Sequence, residues 1–174
     1  MSNSILPIKV AVQTLLDGTP VLTRWLEITN TSHETLALTE LSPWCSRLWS
    51  GNGAVTLGHS RRREVHWEGW FGWTPLKPGP NVVRITPPGP TVVRNYTDRL
   101  WDDPYFLLRN QTREEYFFGG LAWPADYYME FQTDDGVSFE MGAIAPKALR
   151  VIGPGETITT PAMHLGYVPG DFDL

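Results

Sequence analysis

The sequence predicts an all-β fold, an antiparallel β-sandwich or barrel, on three observations. Apolar and polar residues alternate with period two in short runs, and turn residues separate these runs at roughly ten-residue spacing. No segment longer than about two turns carries helical amphipathic spacing. Sixteen Gly and 15 Pro in 174 residues demand many turns and short elements.

Ile8, Val10 and Val12 alternate with Lys9, Ala11 and Gln13, the pattern of a strand with one face toward a core. Asp17-Gly18 is a turn signal, and Val21 to Thr29 is rich in β-branched and aromatic residues, so the two runs read as neighbouring antiparallel strands. Thr31 to His33 supply the next turn, before a third run through Leu36 and Leu38 that ends at Leu41. In the middle, Lys77-Pro78-Gly79-Pro80 and Pro87-Pro88-Gly89-Pro90 bracket the strand-like run Val82 to Thr86 and exclude a long helix.

Tyr105 to Leu108 and Tyr116 to Trp123 are apolar runs, and Gly119-Gly120 inside the second predicts a bulge or a close backbone approach. The clearest hairpin follows. Tyr127, Met129 and Phe131 face one way, Val137, Phe139, Met141 and Ala143 can face them, and Asp134-Asp135-Gly136 makes the turn. Ala148 to Ile152 and Thr157 to Thr160, parted by Gly153-Pro154-Gly155, bring the expectation to about a dozen short strands. One domain spanning 1–174 is expected, with a flexible opening at 1–7.

Composition narrows the function. A net charge of −5, with Arg61, Arg62 and Arg63 as the longest basic run and Glu64 directly after it, argues against nucleic acid as a partner. The lone Cys45 has no disulfide partner and no second Cys for a zinc pair, and its apolar context beside Trp44 predicts a buried small hydrophobe. Nothing resembles an export signal or an 18-residue apolar span, so a cytoplasmic protein with no membrane partner is expected. Asn30-Thr31-Ser32, Asn95-Tyr96-Thr97 and Asn110-Gln111-Thr112 match the glycosylation pattern and are read as turns.

The catalytic inventory is thin. His33, His59, His66 and His164 show no paired ligand spacing, so no metal and no cofactor are expected. No nucleophile-elbow or phosphate-cradling glycine loop occurs. The carboxylate pairs Asp102-Asp103, Glu114-Glu115 and Asp134-Asp135 are sequence neighbours, which point to opposite faces of a strand, whereas glycoside hydrolysis needs two carboxyls about 5 to 10 Å apart across one bond. No catalytic residue is assigned.

Eight Trp need either a core or a ligand. The densest cluster is Trp67, Trp70, Phe71 and Trp73, and Trp101-Asp102-Asp103 lies in the polar-aromatic loop Asn95 to Tyr105. An indole face packs against the C–H face of a pyranose while a nearby carboxylate holds its hydroxyls, which makes Trp70, Trp73, Trp101, Asp102 and Asp103 the carbohydrate-binding candidates. Core packing at alternate strand positions, plus an inter-subunit surface, is the competing reading of the cluster.

Three collinear stretches resemble the N-terminal β-sandwich that precedes the catalytic barrel of family 36 glycoside hydrolases, the α-galactosidase or melibiase family. They are Val21 to Asn30 with the Leu36 to Leu41 strand; Asp103 to Leu108 with Tyr116 to Trp123; and Leu149 to Glu156 with Thr160 to Gly166. Residues 167–174, with Gly170-Asp171-Phe172-Asp173, resemble the exit toward a linker. Pro124-Ala125-Asp126 stands where the family has Ser-Gly-Asn, and the family's sandwich begins before the equivalent of Ile8, so its first strands have no counterpart here.

The resemblance implies a supersandwich of the galactose-mutarotase-like type, with the family's two catalytic aspartates in a barrel outside this chain. The expectation is a non-catalytic domain of, or related to, an α-galactosidase-type hydrolase, serving packing, assembly and carbohydrate contact. A catalytic barrel domain or a homo-oligomer would be its protein partner. Two alternatives stand beside it: a free-standing carbohydrate-binding module, and an aldose-epimerase-like enzyme using His66 with Glu68, or His164 with a nearby acid.

Overall fold

The computed structural model describes residues 7–51, 53–62, 69–77, 79, 81–85, 103–145 and 147–170, and of Arg61, Arg62, Trp70, Asn81 and Arg84 the backbone only. Trp67, Trp101, Asp102, His66, Glu68 and the Asn95 sequence lie outside the described residues. Fourteen strands are present: β1 (Ile8–Leu16), β2 (Val21–Asn30), β3 (Leu36–Leu38), β4 (Glu40–Ser50), β5 (Val55–Arg62), β6 (Gly69–Pro75), β7 (Asn81–Ile85), β8 (Tyr105–Asn110), β9 (Glu115–Leu121), β10 (Tyr127–Asp134), β11 (Gly136–Ile144), β12 (Arg150–Ile152), β13 (Thr157–Thr159) and β14 (Met163–Pro169). No helix occurs among the described residues.

An eight-stranded antiparallel sheet runs β1-β2-β14-β9-β8-β5-β6, with β13 also paired to β2. A four-stranded sheet, β4-β11-β10-β7, packs against its inner face, and β12 pairs β3 in a small separate ladder. β1 occupies one edge of β2 along its whole length, so β13 and β14 share the other. Thr160 bridges the break between them, its N–H donating to the Leu26 carbonyl and its Oγ1 accepting from the Leu26 N–H.

The core fills the space between the two sheets. Val55, Leu57, Phe106, Leu108, Leu121, Met163 and Leu165 come from the large sheet, and Trp44, Tyr127, Met129, Phe131, Val137, Phe139 and Met141 from the small one. Phe106 sits at the centre, edge-on to Phe131 at 5.0 Å and tilted against Phe139 at 5.5 Å. It fits because its partner across the ladder is Gly119, where a Cβ would lie 2.5 Å from the ring. The paired glycines therefore mark a close approach with no bulge, since the β8–β9 register is unbroken.

The hairpin expected at Asp134-Asp135-Gly136 is present, with Phe131 opposite Phe139 and Met129 opposite Met141. Gly136 turns the chain at φ 112, a left-handed value that costs an L side chain strain. Two expectations are corrected. The run expected to end at Leu41 breaks at Thr39, and Glu40 opens an eleven-residue strand. Pro43 sits inside β4 because β4 is an edge strand, where a missing N–H is tolerated. On β4 Trp44 turns inward and is 5% exposed, so the next residue, Cys45, points outward: the thiol is exposed, not buried.

Candidate functional site

The site is built on three adjacent strands at one end of the large sheet. Leu57, Phe106 and Leu108 point into the core, so alternation turns Gly58 and Ser60 of β5 and Tyr105 of β8 to the outer face. On β6, Trp73 lies opposite Gly58 and Phe71 opposite Ser60, which carries both rings to that same face. Trp73 is 46% exposed and Phe71 37% exposed, while Tyr105 is half-buried.

The rings make one assembly. Phe71 and Trp73 meet edge to face at 5.4 Å, and Phe71 runs parallel to Tyr105 at 6.4 Å with planes 5° apart. Both β6 rings lean across Gly58: a Cβ there would come within 2.5 Å of Phe71 and 2.9 Å of Trp73. Absence of a side chain at this one position lets both rings pack down over the β5 backbone.

Asp103 is tied to the rim of that surface. Its N–H donates to Ser60 Oγ at 2.9 Å, and its carbonyl accepts from the Tyr105 N–H at 2.7 Å. The residue itself is exposed. Of the five carbohydrate-binding candidates, the structure thus brings Trp73 and Asp103 to one face and adds Phe71, Tyr105 and Gly58. Phe71 was legible as part of the aromatic cluster. Tyr105 was legible only as the end of the polar-aromatic loop and Gly58 carried no signal in sequence, because their place beside the rings follows from strand pairings. Trp70 is paired through its backbone to Arg61, and Trp101 and Asp102 are outside the described residues.

His59, His164, Glu115 and Asp135 each make a contact within the fold. His59 and Ser60 are neighbours on a strand and so point to opposite faces; the His59 ring is buried, with Nδ1 3.0 Å from the Ser60 carbonyl. His164 is exposed and bonds Thr23 Oγ1 through Nδ1 at 2.9 Å. Glu115 is engaged by Trp49 Nε1 at 2.7 Å and by the Tyr167 hydroxyl at 3.2 Å, and Asp135 by Arg47 at 4.0 Å. No group of three or more His, Cys, Asp or Glu able to hold a metal ion occurs among the described residues.

Comparison with known proteins places the fold. No family model matches the sequence, and no curated protein does. Solved structures do. The galactosidase domain of the α-galactosidase–sucrose kinase AgaSK superposes over 98% of this chain with a TM-score of 0.76 at 15% identity. An α-galactosidase from Lactobacillus brevis covers 97% with a TM-score of 0.63 at 16% identity, and the GH36 α-galactosidase AgaA from Geobacillus stearothermophilus 97% with 0.62 at 15%. The chain spans 22–23% of the length of those proteins. Likeness at such identity establishes a shared β-sandwich fold.

Proposed function

We propose that this chain is a non-catalytic β-sandwich domain of the α-galactosidase type, acting through packing, assembly and contact with carbohydrate. The observation that supports it is the match of nearly all of this fold to under a quarter of each α-galactosidase chain. A catalytic barrel domain, or further copies of this chain, is the protein partner in this reading, and the cytoplasm its location.

A second reading, a free-standing carbohydrate-binding module, is favoured by the exposed rings of Phe71 and Trp73. One experiment separates these readings from catalysis: incubation of the pure protein with an aryl α-galactoside, beside a titration with galactose, melibiose and raffinose followed by Trp fluorescence. No turnover is expected. Saturable binding without turnover supports sugar contact, and reproducible turnover by pure protein overturns the non-catalytic reading.

A further inference from the structure

The exposed aromatic surface over Gly58 has properties that select an occupant. Large aromatic side chains bury about 150–250 Å² each, so rings left 46% and 37% exposed offer on the order of 200 Å² between them. A stable protein interface needs roughly 800 Å² per partner, several times more. The two rings lean across a position with no side chain and meet at 85°, so what they offer a ligand is the exposed face of one ring, braced by the other. Exposed Asp103 is tied by its backbone to β5 beside these rings, in a chain of net charge −5, and a carboxylate there repels anions and accepts hydrogen bonds from hydroxyl groups.

We infer that the exposed Trp73 ring, braced at 85° by Phe71 with Tyr105 parallel behind it, is a stacking face for a single neutral pyranose, with the Asp103 carboxylate accepting from its hydroxyls. This rests on the carbohydrate-contact reading above and names its site. A pyranose is amphipathic in the required way: one face presents C–H groups to the rings while the equatorial rim presents hydroxyls. Ser60 sets the geometry by fixing the Asp103 backbone directly beside β5, opposite Phe71. Gly58 is a positioning residue, since any larger side chain lifts both rings off the sheet.

The affinity of so open a site for one sugar ring is on the order of 1 mM. The test is calorimetric titration of the full chain with methyl α-galactoside, methyl α-glucoside and a glucuronide up to about 50 times that concentration. The neutral glycosides are expected to bind and the glucuronide to bind at least tenfold more weakly. Trp73→Ala and Phe71→Ala are expected to weaken neutral-sugar binding at least tenfold, Trp73→Phe by less than about threefold, and Asp103→Asn several-fold, all with unchanged circular dichroism because the side chains are on the surface. Gly58→Leu is expected to abolish binding.

Sugar binding that survives Trp73→Ala and Phe71→Ala overturns this site while leaving the sugar-contact reading intact. No binding of any glycoside overturns the platform, and the non-catalytic reading then stands or falls on the turnover assay alone. A fall in oligomer size in Trp73→Ala, seen by light scattering, would assign the rings to an interface between copies and overturn it as well.

Discussion

Asn30 is fully buried and acts as a four-way junction. Its Nδ2 donates to the carbonyls of Glu34 and Ile152, at 2.7 and 3.2 Å, and its Oδ1 accepts from the N–H and the hydroxyl of Ser32. One side chain thereby holds the turn after β2 and the start of the β12–β13 connection. Asn30→Ala strands buried partners at both places, and a loss of about 2–4 kcal/mol is expected in urea unfolding. Loss below about 0.5 kcal/mol would mean that the turn closes without it. Asn110 works alike, accepting from the N–H groups of Thr112 and Arg113, so both of these glycosylation-like triplets are turns with buried asparagines, as their sequence suggested. Cys45 was the misreading at this scale. Its apolar neighbours suggested burial, but orientation on a strand depends on parity, and parity within β4 was hidden by Pro43.

Elements were legible where local chemistry sets them and obscure where a distant strand does. The β10–β11 hairpin could be read because its turn residues and its alternation agree. β4 could not, since its edge position and the bulge at Ser42-Pro43 opposite Gly142 excuse the proline and shift the alternation. The outer face of this small sheet also carries a buried phenol. Tyr128 is 1% exposed, and its hydroxyl donates to Glu140 Oε1 at 2.5 Å. Burial first, then the hydrogen bond and charge of Glu140, push its ionisation far above the ordinary tyrosine range. The folded state therefore keeps this proton at a pH where the unfolded chain, near pH 10, releases it. Stability from Tyr128 is complete below about pH 10 and declines as pH rises above it. Tyr128→Phe is expected to cost about 1–2 kcal/mol at neutral pH and to flatten the alkaline limb of a stability–pH curve. An unchanged slope between pH 9.5 and 11 would show that other groups govern that limb.

At the scale of the whole molecule, sequence gave the sandwich but not its strand order, because most neighbours in the large sheet are distant in the chain. β2 meets β14 across some 140 residues, and β5 meets β8 across about 50, as in Thr23 against His164 and Leu57 against Leu108. The same distances placed Tyr105 and Gly58 at the aromatic platform, which is why that site was only half visible in advance. Non-local pairing has an energetic consequence too. Phe106 touches rings from the facing sheet, and Arg24 of β2 covers the Trp44 ring of β4 at 4.0 Å, so neither sheet retains its buried face if the other leaves. Unfolding should then be one cooperative event, with Trp fluorescence and far-ultraviolet circular dichroism giving coincident urea transitions. Phe106→Ala should lower the midpoint by removing about 3–5 kcal/mol while leaving the denaturant slope unchanged. Refolding should be slow for its size, in milliseconds to seconds, since ring closures of this length precede the contacts that reward them. Two separated transitions would instead mean that the β1–β2 end of the large sheet holds together without the shared core.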